Sequence, residues 1–256
     1  MFQKRKMEYA AYTGRGLVRQ NNEDNFLVEH VYKEQDAIEF RRVGVLAKNK
    51  NIVAVADGMG GEAAGEVASY LTVSRLEKVI EQEEDLTKAI RALNNEILTY
   101  ATENELEGMG STLALLLQKE EKIVLLNVGD SRIYRYLDGK LEEKSKDHTK
   151  AEFMVEIGML TEEEARKSPS WHVLTQNLGL PEEEALLVPH QVEEEYVENA
   201  RYLLCSDGLT DMVSQQEIEE IFRQEEKCEN IVKKLTQKAL EHGGKDNITV
   251  LAIHLK

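Results

Sequence analysis

The stretch NIVAVADGMGGEAAGEVASYL, residues 51–71, contains both local patterns that recur along the chain. Five of its first six residues are apolar, with one Ile and two Val among them, which predicts a buried strand over 51–56. Apolar residues then recur at helical spacing and predict a helix over 62–82. Asp57 and Gly58 stand between the two patterns, so a carboxylate directly follows a buried strand.

Strand and helix patterns alternate in blocks through the rest of the chain. We expect further strands at 8–13, 25–29, 111–118, 122–128, 132–137, 140–143, 185–192, 200–205 and 247–254. Helices are expected at 86–103 and across 215–242. Because the strands come in consecutive runs and the long helices in pairs, the pattern favours an α+β fold with antiparallel sheets and helices on their outer faces.

Composition excludes several classes of protein. The 256 residues are 41% hydrophobic, and Lys+Arg 32 against Asp+Glu 48 leave a net charge of −16. This balance is typical of a globular protein and argues against binding to nucleic acid or to an anionic membrane surface. No apolar run approaches the roughly 18 residues of a spanning helix, and no signal peptide is evident. We therefore expect a cytoplasmic protein whose Cys205 and Cys228 are reduced.

Four aspartates stand at the ends of strongly apolar strands. Asp57, Asp130 and Asp207 follow such strands, and Asp246 opens the last one. A simple turn explains any single Asp-Gly pair equally well. Four carboxylates brought together, however, would repel one another unless a cation neutralised them, and oxygen ligands suit Mg²⁺ or Mn²⁺. The absence of a side chain at Gly58 would let its carbonyl approach the same ion.

A second polar cluster, RQNNED at residues 19–24, lies between two short strands. A solvated charged loop is one interpretation of it. The other is functional: Arg19 could hold a phosphate by two hydrogen bonds, and Glu23 and Asp24 could hold metal-bound water.

A competing motif overlaps the first aspartate. GMGGEA at 58–63 satisfies the glycine pattern of dinucleotide-binding folds after a strand and before a helix. Asp57 would repel a pyrophosphate there, and the helix leads to a second helix instead of a parallel strand. We therefore disfavour an oxidoreductase.

Eight short motifs follow one another through almost the whole chain. They are RQNNED at 19–24, VADGMGG at 55–61, GSTLALLL at 110–117, NVGDSRIYRY at 127–136, DHT at 147–149, LTQNLG at 174–179, LLCSDGLTDMV at 203–213 and GGKDNITVL at 243–251. In this order they resemble the metal-dependent serine/threonine phosphatases of type 2C, the PPM family, in their compact bacterial form. The resemblance implies a single domain over 1–256, built as a four-layer α-β-β-α sandwich of two antiparallel sheets flanked by helix pairs. It also implies a flap subdomain at about 146–180.

The resemblance further implies a metal centre at one end of the sandwich. Asp57 would bridge two tightly bound Mn²⁺ or Mg²⁺ ions, and the Gly58 carbonyl would bind one of them. Asp207 and Asp246 would each hold the other ion. Asp130 matches the position that helps to hold a third, weaker ion.

The remaining site residues would act on substrate and water. By resemblance, Arg19 binds the substrate phosphate, Glu23 contacts metal-bound water and Asp24 lies behind it. A hydroxide bridging the two metals would attack phosphoserine or phosphothreonine. Phosphoproteins are then the partners, a serine/threonine kinase acts in opposition, and the chain is a monomer. A pseudophosphatase is the alternative, although each metal aspartate is present.

The chain departs from the family pattern in three places. Residues 31–50 carry extra polar sequence, which we interpret as an extended hairpin or surface insertion. Trp171 and His172 stand in the flap where relatives more often carry arginine or asparagine, which leaves substrate preference open. Met59 replaces a histidine sometimes assigned as general acid, and His148 is a candidate for that role or for stabilising the flap base.

Overall fold

The computed structural model describes residues 5–48, 50–60, 64–106, 108–181 and 186–256. Its strands are β1 (Met7–Gly14), β2 (Asp24–Leu27), β3 (Glu39–Leu46), β4 (Lys50–Met59), β5 (Gly110–Ser111), β6 (Leu113–Lys119), β7 (Lys122–Val128), β8 (Arg132–Leu137), β9 (Lys140–Glu143), β10 (His190–Glu195), β11 (Arg201–Cys205) and β12 (Ile248–Leu255). Its helices are α1 (Ala64–Gln82), α2 (Leu86–Glu103), α3 (Lys150–Glu156), α4 (Glu162–Arg166), α5 (Asp207–Thr210), α6 (Gln215–Gln224) and α7 (Cys228–Glu241).

The strands form two sheets whose neighbouring strands are antiparallel. The first sheet has the order β3-β1-β12-β11-β8-β9. The second has the order β10-β7-β6-β4-β2, with the short β5 paired to β4. Strand β12 pairs with β1 over its full length, so the first and last strands of the chain lie side by side within the first sheet.

Three hydrophobic clusters define the layers of the fold. One lies between the sheets and includes Phe26, Leu116 and Leu251. A second lies between the second sheet and the α1–α2 pair, and a third lies between the first sheet and the α6–α7 pair. The arrangement confirms the expected four-layer α-β-β-α sandwich.

Strand β6 shows how the sequence produces these layers. Leu113, Leu115 and Leu117 face the helix pair, whereas Ala114 and Leu116 face the other sheet. Because successive side chains of a strand point to opposite faces, a strand covered on both sides is apolar throughout. Strand β4 follows the same rule, and its apolar run ends at the carboxylate-bearing end of the sandwich.

Most predicted strand limits lie within about three residues of the observed ones. The strand expected at 111–118 is divided into β5 and β6, and two further elements differ more. The strand expected at 185–192 is found at His190–Glu195, where it pairs with β7. Pro189 precedes it and has no N–H to donate to a ladder; residues 182–185 lie outside the described ranges. The helical region expected across 215–242 is two helices, because Glu225 adopts an extended conformation between α6 and α7.

The 31–50 segment does not form a hairpin with β4, but its strand β3 is a mostly exposed edge strand, which is compatible with a surface insertion. Its strand β3 pairs with β1 from Glu39↔Gly14 to Leu46↔Met7 and adds an edge to the first sheet. Strand β4, which follows, belongs to the second sheet, so the segment crosses from one sheet to the other.

The flap region carries two short capped helices. Thr149 caps α3, and Thr161 and Glu164 form a reciprocal capping box at α4. Isolated bridges from Thr149 to Leu174 and from Ser111 to Leu178 join the flap to itself and to the second sheet. Within the described ranges, none of the helices has the length and apolar character needed to cross a lipid bilayer.

Candidate metal centre and phosphate site

A cleft of about 1110 Å³ opens at one end of the sandwich. The predicted site residues that line it are Arg19, Glu23, Asp57, Gly58, Asp130, Asp207 and Asp246. They come from separate parts of the sequence and meet because β4, β7 and β11 end, and β12 begins, at this same edge. Asp24, the remaining predicted residue, is buried beside the cleft and does not line it.

Asp57 lies in the last part of β4 and is fixed through its backbone. Its N–H donates to the Thr112 hydroxyl at 3.0 Å, and its carbonyl accepts from the Thr112 N–H at 2.8 Å. The Thr112 hydroxyl in turn hydrogen-bonds Ser131 at 2.7 Å. Because Ser131 directly follows Asp130, these buried hydroxyls connect the segments that carry the two aspartates.

Glycine follows two of the aspartates because other chain segments pass very close. A Cβ at Gly58 would lie 1.9 Å from the Gly65 carbonyl oxygen. A Cβ at Gly208 would lie 1.9 Å from the Asn247 carbonyl oxygen. At these two positions the Asp-Gly pair therefore marks close backbone packing beside the cleft.

Asp24 forms a buried network with hydroxyl groups. Its Oδ2 accepts hydrogen bonds from Ser206 and Thr249, each at 2.7 Å. Its Oδ1 is buried and has no hydrogen-bond partner among the described residues. Burial, with the nearby Asp207 and Asp246 charges, raises the pKa of Asp24 to about 7, although the two hydroxyls oppose the shift.

The bend at 19–24 is held by a residue that the sequence interpretation did not assign to the site. The Asn247 side chain accepts from the Glu23 N–H at 2.8 Å and donates to the Asn21 carbonyl at 2.9 Å. Asn247 directly follows Asp246 in the last motif, and this neighbouring position was the only sign in the sequence that Asn247 belongs to the site.

Arg19 lies half-exposed at the edge of the cleft. Its guanidinium donates to Asp246 Oδ2 at 2.6 Å. This hydrogen bond raises the pKa of Arg19, so the group stays charged and able to bind an anion.

The carboxylates of the cleft destabilise one another when ionised. Burial, followed by the charges of neighbouring aspartates, raises the pKa of Asp57 and of Asp130 well above the usual range. The pKa of Asp211 is raised by burial and by Asp207. Such a set of hard oxygen donors with uncompensated charge fits divalent cations such as Mn²⁺ or Mg²⁺.

His172 brings a nitrogen donor from the flap to the same place. Its Nδ1 lies 3.5 Å from Asp207 Oδ2, and its Nε2 lies 3.4 Å from Asp211 Oδ2. Ligand atoms of Asp130, His172 and Asp207 all lie within 4.8 Å of one another. The hydrogen bond to Asp207 raises the pKa of His172 to about 9. The neighbouring Trp171 ring lies 5.7 Å from the Arg132 guanidinium.

His148 supports the flap base and is held in its neutral form. Its Nδ1 accepts from the Gly129 N–H at 3.2 Å, and the backbone N–H of His148 donates to the Gly129 carbonyl at 3.0 Å. Burial lowers the pKa of His148 to about 4. A neutral imidazole that accepts through Nδ1 outside the cleft lining fits a structural role better than that of general acid.

Comparison with known proteins agrees with this fold. The chain matches the family described as Protein phosphatase 2C over residues 32–243, and it therefore belongs to that family of metal-dependent serine/threonine phosphatases. The enzyme is a protein-serine/threonine phosphatase with Mn²⁺ or Mg²⁺ as its cofactor, and the dinucleotide alternative is excluded.

Similar proteins match over nearly the whole chain. The serine/threonine phosphatase stp of Listeria monocytogenes is 35% identical over 94% of this chain and 93% of its own length. The crystal structure of the Mycobacterium tuberculosis serine/threonine phosphatase PstP/Ppp has a TM-score of 0.80 at 35% identity, covering 98% and 99% of the two chains. A structure of the PstP catalytic domain in complex with two manganese ions has a TM-score of 0.78 at 35% identity, with the same coverage.

Proposed function

We propose that the chain hydrolyses phosphoserine and phosphothreonine in proteins by attack of a hydroxide that bridges two divalent metal ions. The observation that carries this proposal is the convergence of Asp57, Asp207 and Asp246 in one cleft with Arg19. Their mutual repulsion supplies the physical reason for cation binding.

The donors divide into a tight set and a weaker set. Asp57, the Gly58 carbonyl, Asp207 and Asp246 would hold the two tight ions. Asp130, with His172 from the flap, would hold a third and weaker one. When bound, the two tight ions supply a nucleophile at neutral pH and offset charge on the phosphoryl oxygens.

The remaining side chains act on substrate and water. Arg19 binds the phosphate through its guanidinium, whose planar fork matches phosphate oxygens. Glu23 accepts a hydrogen bond from water in the cleft, and Asp24 lies behind it. Met59 cannot donate a proton, and His148 is neutral and outside the cleft lining, so the proton for the leaving oxygen must come from water or from another group of the cleft.

The biological setting follows from this activity. Phosphorylated proteins are the substrates, and a serine/threonine kinase acts in opposition. We propose that residues 1–256 act as one monomeric domain in which the flap at 146–180 covers the cleft and influences the choice of substrate.

A phosphothreonine peptide provides the test. We expect release of phosphate with Mn²⁺, no release in EDTA, and recovery when Mn²⁺ is restored. Asp207→Asn should abolish the activity, whereas Asp138→Asn, the same change at an exposed hairpin turn, should not. A pseudophosphatase would bind the peptide without hydrolysing it, and full activity in the metal-free enzyme would contradict the mechanism.

A further inference from the structure

A completely buried lysine lies in the extra sequence between β2 and β4. Lys33 has no exposed surface and is among the largest fully buried side chains of the protein. The family motifs do not include it, and the proposed chemistry does not use it. A buried ammonium carries a large desolvation cost, so its contacts should have a definite use.

The ammonium of Lys33 binds backbone carbonyls instead of a carboxylate. Its Nζ donates to the Asn22 carbonyl at 2.9 Å and to the carbonyls of Glu34 and Gln35 at 3.4 Å each. None of the carboxylates in the described ranges forms an ion pair with it. Burial accordingly lowers the pKa of Lys33, while the more distant charges of Glu66, Asp24 and Asp36 favour its charged form.

The backbone of Lys33 is fixed as firmly as its side chain. Its N–H donates to Asn25 Oδ1 at 2.8 Å, and its carbonyl accepts from Asn25 Nδ2 at 2.9 Å. Asn25 itself lies in β2, which pairs with β4 in the second sheet. The backbone of Lys33 is therefore attached to β2, and from this fixed position its side chain can hold another segment in place.

The segment that Lys33 holds is the 19–24 bend, which carries Arg19, because its ammonium binds the Asn22 carbonyl. The Asn22 side chain accepts from the Asp24 N–H at 3.1 Å and donates to Thr13 at 3.0 Å. Asn247 holds the neighbouring Glu23 N–H and Asn21 carbonyl from the other side. The bend is thus held by hydrogen bonds from two residues outside it, Asn247 of the last motif and Lys33 of the extra segment.

We propose that Lys33 is a positioning residue, which holds the Asn22 carbonyl so that the 19–24 bend presents Arg19 to the substrate phosphate. This inference rests on the proposed function of Arg19. It assigns a role to the extra segment, which supplies Lys33 as well as the edge strand β3.

A double-mutant cycle tests the proposal. We would measure KM and kcat for a phosphothreonine peptide at saturating Mn²⁺ in Lys33→Met, Arg19→Ala and the double variant. Lys33→Met should raise KM by about tenfold with a much smaller change in kcat, which is less than the roughly 100-fold cost of a full 1 Å misplacement, because Asn247 still holds the bend. In the Arg19→Ala background the same change should add nothing further to KM, because Lys33 would affect KM only through the position of Arg19.

Matched variants separate positioning from general destabilisation. Lys48→Met makes the same chemical change at an exposed position of the same segment and should leave KM unchanged. Lys33→Gln keeps an N–H donor and should recover part of the affinity. An unchanged KM in Lys33→Met, or independent effects on KM in the double variant, would overturn the proposal. Failure of both Lys33 variants to fold would make the residue structural and overturn it as well. An inactive wild-type enzyme would instead contradict the proposed function.

Discussion

At the scale of single residues, the cleft combines strong repulsion with fixed geometry. The backbone of Asp57 is held beside the other aspartates, because Thr112 hydrogen-bonds both its N–H and its carbonyl. The strain of the metal-free state is therefore electrostatic, and removing one charge should relieve it. The same removal should weaken the binding of a cation, so activity and metal-free stability should change in opposite directions.

Asp246→Asn tests whether activity and metal-free stability change in opposite directions. The change preserves size but removes a charge needed for the metal, so we expect the rate to fall by at least about 100-fold, as when other essential electrostatic groups are removed. The melting temperature in EDTA should not fall. Peptide hydrolysis and thermal unfolding measure the two effects, with Asp138→Asn as the surface control. Turnover close to that of the wild type would remove Asp246 from the metal centre.

His148 should make the stability of the protein depend on pH. Burial holds its folded pKa at about 4, below the unfolded value near 6.5. Between these values the unfolded chain binds a proton that the folded chain does not, so stability falls as the pH falls from about 6.5 to 4. His148→Gln should reduce this loss, as measured by urea unfolding across the range. Identical pH dependence in both proteins would contradict the assignment of a neutral, buried imidazole.

At the scale of elements, the flap brings a nitrogen-bearing side chain, His172, to the aspartates of the cleft. Asp130 and His172 approach each other because the loop after β7 and the flap meet at the cleft. An ion held by these few groups should exchange easily, since a hard cation bound mostly by water is weakly retained.

Asp130→Ala separates this weak ion from the tight pair. We expect calorimetry to count the same tight metals as in the wild type, while turnover falls because the third ion no longer helps to supply a proton to the leaving oxygen. Loss of a tight binding event would mean that Asp130 belongs to the two-metal core. Unchanged turnover at saturating Mn²⁺ would mean that the third ion has no catalytic role.

The elements also show how far the sequence could predict the structure. The strand before Asp57 was predictable because both of its faces are buried, so its apolar run is unbroken. Strand β3 was not predicted at all, because most of this edge strand is exposed and its residues carry little pattern. The contact of His172 with Asp207 depends on where the flap folds back, which no local spacing specifies.

At the scale of the whole molecule, metal binding and folding should be linked through protons. The pKa values of Asp57 and Asp130 are raised above their unfolded values near 3.9, so the metal-free folded chain binds protons more tightly than the unfolded chain. For these groups, stability is greatest at low pH and is lost as the pH rises above about 4. A cation that binds the ionised carboxylates of the folded chain should restore the stability that is lost as the pH rises.

The stabilisation by Mn²⁺ should therefore grow with pH. We expect the difference in melting temperature between samples with Mn²⁺ and with EDTA to be small near about pH 5 and larger near about pH 7.5, because protons compete with the ion at low pH. The contribution of His148 is common to both samples and cancels in the difference. Asp138→Asn should behave like the wild type, whereas Asp207→Asn should show a smaller difference at each pH. A difference independent of pH in the wild type would mean that the cleft carboxylates are already ionised at low pH, and that their repulsion is not what the metal relieves.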